Sequence, residues 1–287
     1  MTKSSKTLVK QRFCEKNHVK IKLERSDSVT SIVTTGRKWS AASEALAKKA
    51  AAKLNIAYIE RENKSIEALQ QEYLANEVLV AKDGQLTLVT AGGELFFHPN
   101  MAHLRVKNIR LGAGDRMVEA MDLKPGMSVL DCTLGFGADA IVASFVTGDT
   151  GKITGVESRL LIEAVVGYGL ANFTGDSERI IKAMRRINTV CADALEFLKK
   201  QADNSYDIVY FDPMFRHPFL ASKSLDPLRA VADKRALTLE IIAEAKRVAK
   251  LKVVMKETSR SLEFERLGFS KVTGGKYSKV HYGIIEL

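Results

Sequence analysis

The sequence predicts an α/β protein: a doubly wound, mostly parallel seven-stranded sheet that ends in an antiparallel hairpin and follows a small α+β unit. Three observations carry this prediction. From about Gly114, short apolar runs alternate with helical stretches, which demands crossover connections and so a parallel sheet covered on both faces. The tail FSKVTGGKYSKVHYGIIEL holds two extended runs around Gly274-Gly275, so its last strand returns antiparallel. Before residue 110 the rhythm is that of a separate, smaller unit. The expected division is a basic arm over 1–40, a small α+β domain over 41–110 and the large sheet domain over 111–287.

In chain order, Ser40 is placed to cap a helix running to about Leu54, with Leu46, Ala47, Ala50, Ala51 and Leu54 on one face. IAYI (56–59) reads as a short strand, and Ser65 starts a second helix with Ile66, Leu69, Tyr73 and Leu74 as its stripe. EVLVAK and QLTLVT flank Asp83-Gly84, a dipeptide that accepts the positive φ angles of a type I′ hairpin turn. Extended chain resumes at ELFFHP (94–99). Past residue 110, a short helix from Asp115 to Met121 precedes the Lys124-Pro125-Gly126 turn. Then come MSVLDCT, a helix from about Gly137, KITGVES, a helix from about Leu160, INTVCAD, another helix, YDIVYFD, a long helix near 226–250, and LKVVMKE.

Composition excludes several classes. Of the 287 residues, 46% are hydrophobic and 27% charged, an ordinary globular balance that leaves out global disorder and coiled coils. No apolar run approaches the roughly 18 residues of a membrane helix, and the N-terminus lacks the apolar core of a secretory signal. The three cysteines (Cys14, Cys132 and Cys191) form no CxxC pair, so neither a disulfide framework nor a metal site is expected, and a cytoplasmic location fits. Cys132 and Cys191 fall in strands, where a free thiol is expected to behave as a small buried hydrophobe. The net charge of +10 is uneven: +7 lies in residues 1–40, +1 in 41–110 and +2 in 111–287. A basic arm before a nearly neutral body is the footprint of phosphate binding, or equally a solvated solubilising tail.

The most informative segment is VLDCTLGFGADA (129–140), a strand that ends in a glycine turn and opens a helix. Gly135 and Gly137 permit close backbone approach at the sheet edge where ligands of such folds bind. A dinucleotide turn would carry a third glycine where Ala140 stands, and the flanking Asp131 and Asp139 would repel a pyrophosphate. Acids at that position suit a cationic ligand without phosphate, namely S-adenosylmethionine. Glu157 ends the next strand, placed to accept both ribose hydroxyls, and Asp193 ends the third, placed for the adenine amino group. Glu157 alone is an ordinary strand-end acid; its flanking partners make it a candidate.

The fourth strand ends in Tyr210-Phe211-Asp212-Pro213-Met214-Phe215. Proline lifts the chain out of the sheet, leaving the Asp212 carboxylate at the same rim to accept hydrogen bonds from an exocyclic amine. Phe215 offers a flat face on which a base can stack. In isolation, the Asp-Pro step reads equally well as a turn and Phe215 as core.

Together, VLDCTLGFGADA, GVES, CADA and FDPMF resemble class I S-adenosylmethionine-dependent methyltransferases, whose fold is the Rossmann-like sheet inferred above. DPMF looks like the (D/N)PP(Y/F) box of enzymes that methylate nucleobase amines. With Met101-Ala102-His103-Leu104-Arg105, the set is most similar to the J-type 16S rRNA guanine-N2 methyltransferases, over residues 41–287. The resemblance implies cofactor contacts at Ala138, Asp139, Glu157, Ser158, Ala192, Asp193 and Asp212, no metal, and ribosomal RNA or the small ribosomal subunit as partner. It also tilts the basic cluster His103, Arg105, Lys107 and Arg110 toward substrate binding, with Arg216 and His217 bordering the target pocket. Ser158 stands where that family usually has arginine, and Arg216 where it has proline. Rival readings are a methyltransferase for a small molecule or protein, a nicotinamide enzyme, and a non-catalytic RNA-binding relative.

Overall fold

The computed structural model describes residues 31–213, 233 and 235–287. Phe215, Arg216 and His217, and the basic arm up to residue 30, lie outside the described residues. The small unit is a five-stranded sheet made of β1 (Ser31–Thr35), β2 (Ala57–Tyr58), β3 (Glu77–Lys82), β4 (Gln85–Thr90) and β5 (Gly93–Phe96). Its order is β2-β1-β3-β4-β5, with β1 parallel to both neighbours and β3, β4 and β5 an antiparallel meander. α1 (Ala41–Leu54) begins where the Ser40 hydroxyl accepts from Ser43 N at 3.1 Å, and ends where Asn55 turns left-handed at φ 53°. Asp83 and Gly84 carry φ of 50° and 73°, the double positive pair that the hairpin sequence calls for.

Three features of this half differ from expectation. β1 lies inside the stretch assigned to the arm and is an interior strand of the sheet, between β2 and β3; its run SIVTT is rich in β-branched residues and almost wholly buried. α2 (Ile66–Tyr73) is as expected, but the basic stretch after β5, to which no element was assigned, is a helix, α3 (Asn100–Arg110). The small unit is also continuous with the large one, because one apolar cluster runs from Val33 and Leu79 through Phe97 to Val129 and Ile153.

The large sheet follows α4 (Arg116–Met121) and has the order β11-β12-β10-β9-β6-β7-β8. Its strands are β6 (Ser128–Asp131), β7 (Lys152–Glu157), β8 (Ile187–Cys191), β9 (Tyr206–Phe211), β10 (Ala249–Thr258), β11 (Lys271–Thr273) and β12 (Val280–Glu286). β6 through β10 are parallel, and β12 runs antiparallel to both β10 and β11. The intervening helices are α5 (Ala138–Thr147), α6 (Leu160–Asn172), α7 (Glu178–Arg185), α8 (Ala194–Lys199), α9 (Leu239–Val248) and α10 (Glu263–Arg266). The helix expected near 226–250 is described only as α9, capped by the Thr238 hydroxyl accepting from Ile241 N, and β10 already starts at Ala249. β6 and β9 are neighbours although β7 and β8 separate them in sequence, so the chain reverses its winding between them. That switch point opens a crevice beyond the carboxyl ends of the strands.

Candidate active site

Each strand of the switch point delivers one piece of the site. After β6 the chain turns through Gly135 (φ 49°) and Gly137 (φ 74°), and Gly137 becomes the N-cap of α5. Positive φ explains both glycines, since a side chain there would meet the backbone. The turn is pinned to β7, because Gly135 N donates to Glu157 Oε2 at 3.2 Å. Glu157 Oε1 accepts from Arg159 N at 2.9 Å. Each oxygen thus receives one backbone donor; Oε1 also lies 3.5 Å from the Ser158 hydroxyl, while Oε2 keeps a lone pair for a ligand hydroxyl. Burial raises the Glu157 pKa despite these donors.

The crevice is lined by Thr133, Gly135, Glu157, Ser158, Asp193 and Asp212 over an apolar floor that includes Val156, Leu195, Leu237 and Ile241. Of the predicted cofactor residues, Gly135, Glu157, Ser158, Asp193 and Asp212 therefore meet at one cavity. Asp193 is less available than expected: Oδ1 accepts from Leu195 N and Glu196 N as the cap of α8, while Oδ2 takes Arg235 Nη2 at 2.7 Å. Arg235 also clamps Asp233, whose Oδ2 lies 3.4 Å from the Ser158 hydroxyl. Ala192 packs on the apolar cluster beneath the sheet, and its N–H donates to Glu157 O at 3.0 Å.

Two predicted carboxylates do not face the crevice. Asp131 is fully buried and accepts from Thr133 N at 2.9 Å and from the Thr133 hydroxyl at 3.3 Å. Burial pushes its pKa up to about 8, so it is a neutral internal brace. Asp139 does not line the crevice but is taken up by protein partners beside it: Arg105, the Tyr210 hydroxyl at 2.9 Å and Lys256 Nζ at 3.1 Å. These partners hold it well below the usual carboxylate range in spite of burial. The spacing of acids around a turn reveals their proximity but not which way the helix aims them.

Arg105 needs the same correction. Expected to meet RNA phosphate, it is instead held between Asp115 (Nε to Oδ2, 2.7 Å) and Asp139, with its charged form strongly favoured by those two carboxylates. A buried guanidinium with two acids leaves no face for a phosphate. His103, on the outer face of α3, bonds Asp176 at 2.9 Å and is exposed. Cys132 is buried as expected, whereas Cys191 is exposed.

Asp212 stands at the crevice rim with 20% of its side chain exposed. Its N–H donates to the Thr133 hydroxyl at 2.6 Å, and its Oδ2 accepts from Lys256 Nζ at 2.7 Å. Burial and the nearby Asp139 raise its pKa, while Lys256 pulls it back. Five groups from five segments thus alternate in sign: Asp115, Arg105, Asp139, Lys256 and Asp212. Sequence reasoning left Lys256 without a role and did not reach Tyr210 or Arg235. The one available signal was the place of Lys256 near the end of its strand, beside the strand that leads into Asp212.

Among the described residues, the crevice bears Glu157, Asp193, Asp212 and Asp233 against the single cation Arg235, a balance that repels a pyrophosphate and suits a sulfonium with an ammonium group. The fold and this donor set are those of a class I S-adenosylmethionine-dependent methyltransferase, and the residues present fit that cofactor. The chain belongs to the family of SAM-dependent methyltransferases, whose family model matches residues 24–277. Among its relatives, "Uncharacterized protein YpiP" of Bacillus subtilis (strain 168) is 37% identical over 255 residues, covering 89% of this chain and 99% of that protein. "Ribosomal RNA small subunit methyltransferase J" of Pseudomonas syringae pv. tomato is 28% identical over 156 residues, 52% of this chain and 56% of its own length. The protein of the same name from Aliivibrio fischeri (strain MJ11) is 37% identical over 120 residues, 39% of this chain and 45% of its own length. The match therefore spans about half of these two ribosomal RNA methyltransferases. A SAM-dependent methyltransferase from Neisseria gonorrhoeae has the same fold, with a TM-score of 0.60 over 90% of this chain and 96% of its own at 17% identity.

Proposed function

We propose that this methyltransferase modifies an exocyclic amine of a nucleobase in ribosomal RNA, with guanine N2 of the 16S molecule as its target. The observation that carries the reading is Asp212, a carboxylate at the crevice rim fixed from both ends, by Thr133 at its backbone and Lys256 at its side chain. Bound S-adenosylmethionine supplies an electrophilic methyl group on a sulfonium. Glu157 would hold its ribose hydroxyls, and the apolar floor its adenine. Asp212 would accept hydrogen bonds from the amine of the target base, orient the nitrogen lone pair toward the crevice and draw off positive charge as nitrogen is alkylated. An amine needs such an acceptor; a carboxylate or thiolate substrate would not. The likeness to proteins named ribosomal RNA small subunit methyltransferase J supports RNA as the substrate class. So does the +7 carried by residues 1–40. Phe215, Arg216 and His217, which follow Asp212 in sequence, are the proposed stacking and phosphate-contacting residues.

The test is mass spectrometry of ribosomal RNA from cells with and without the protein. One methylated guanine should disappear from the small-subunit RNA in its absence; an unchanged set of methylated nucleosides rejects this substrate.

A further inference from the structure

The loops beyond β10 and β12 stand on the same rim as Asp212. Met255 on β10 is paired with Phe211, the residue before Asp212, and Thr258 is paired with Val280 at the start of β12. The strand pair continues two residues past Lys256, about 7 Å at the strand rise. It then gives way to residues 259–262 on one side and 274–279 on the other. Ser259 N donates to Lys279 O at 3.0 Å and joins the two loops. Arg116, at the start of α4, lies against the second loop, since a Cβ on Gly275 would come within 2.5 Å of its guanidinium.

This rim has an unusual composition. The segments Ser259-Arg260-Ser261-Leu262 and Gly274-Gly275-Lys276-Tyr277-Ser278-Lys279 contain no acid. Arg116, Arg260 and Lys276 are exposed, and none has a carboxylate partner among the described residues. Tyr277 is 89% exposed, with Lys276 Nζ 5.7 Å from its ring centroid. Folding gives no reason to place a bare aromatic ring among cations at the mouth of a catalytic crevice.

We propose that this acid-free rim is the surface that holds single-stranded RNA on either side of the methylated nucleotide. Arg116, Arg260 and Lys276 contact phosphates, and a neighbouring base stacks on Tyr277. The assignment rests on the ribosomal RNA reading above. An acidic peptide would match the cations but leave Tyr277 without a planar partner, and an intact duplex keeps its base faces stacked away from the protein. A single strand or loop supplies a charge and a flat face per nucleotide.

The experiment is fluorescence anisotropy with the full chain and a labelled transcript of small-subunit ribosomal RNA, with cofactor affinity measured by calorimetry on each variant. Tyr277→Ala should raise the RNA Kd about tenfold, while Tyr277→Phe, which keeps the ring, stays close to the parent protein. Arg260→Ala combined with Lys276→Ala should flatten the salt dependence, lowering the slope of log Kd against log salt by about 1.4, or ~0.7 per phosphate contact. Cofactor Kd should be unchanged throughout. If the parent protein binds and methylates the transcript and every variant binds equally well, the rim is not the surface and the substrate reading stands. If Phe weakens binding as much as Ala, stacking is wrong. If the parent protein neither binds nor methylates the transcript, the substrate reading fails and the rim assignment fails with it.

Discussion

Lys256 sits between two carboxylates, 2.7 Å from Asp212 and 3.1 Å from Asp139, and each arrives on a different element. Without the ammonium, burial and mutual repulsion would drive Asp212 to take up a proton and lose its value as an acceptor. Activity should follow ionised Asp212, rising with pH through its pKa. Lys256→Met removes the group that lowers this pKa, so the acidic limb of the kcat profile should move upward by about 1–3 pH units, the usual effect of an adjacent opposite charge. Asp212→Ala should lower kcat by about 10²–10⁴-fold at every pH, with cofactor binding retained. An acidic limb that stays in place in the Lys256 variant would remove lysine from the mechanism. Asp131 makes a separate prediction. Its folded pKa of about 8 lies above the unfolded value of 3.8, so it contributes stability below pH 4 that is lost as pH rises toward 8. Asp131→Asn keeps the acceptor for Thr133 N and cannot ionise. Its urea midpoint should therefore fall less between pH 5 and pH 8 than that of the parent protein; equal losses would contradict the assignment. Glu157 and Asp212 were legible in the sequence because each ends an apolar strand. Lys256 was not, because a lysine 44 residues from Asp212 gains meaning only when β9 and β10 are paired.

At the level of elements, the sequence signals were strongest where a backbone conformation demands a residue type. Asp83-Gly84, the glycine turn and the Ser40 and Ser65 caps all hold. They failed where tertiary contacts decide. β1 was hidden in a basic stretch, and α7 carries its apolar residues Ile180, Ala183 and Met184 within a strongly charged run. The junction between the two sheets was also invisible. It depends on Gly169 in α6, where a Cβ would overlap the Phe97 ring, and Phe97 in turn meets Phe173 edge-on at 5.9 Å. Gly169→Leu should force these surfaces apart, destabilising the chain by about 1–3 kcal/mol as overpacked cores do. Thermal or urea unfolding reads the effect, and a variant as stable as the parent would mean that the two sheets are not packed through this contact.

Across the whole molecule, charge and chemistry are divided. The crevice is acidic, while the excess of positive charge lies ahead of the small sheet and along the rim loops. Under the proposed function, a cationic cofactor and a polyanionic substrate therefore meet charges of opposite sign. None of the side chains that line the described crevice comes from the first segment of the sequence. Residues 1–23 precede the stretch matched by the family and hold seven Lys/Arg (Lys3, Lys6, Lys10, Arg12, Lys16, Lys20 and Lys22) against the single acid Glu15. Under the proposed function, a chain starting at Glu24 should bind ribosomal RNA more weakly. Because each neutralised phosphate contributes ~0.7–0.9 to the slope of log affinity against log salt, the loss should be largest at low salt and shrink as salt is raised. Cofactor affinity should be the same in both chains, and turnover at saturating RNA should be preserved. Identical salt slopes for the long and short chains would assign the basic segment to solubility alone, and would leave the rim around Tyr277 as the place where RNA is held.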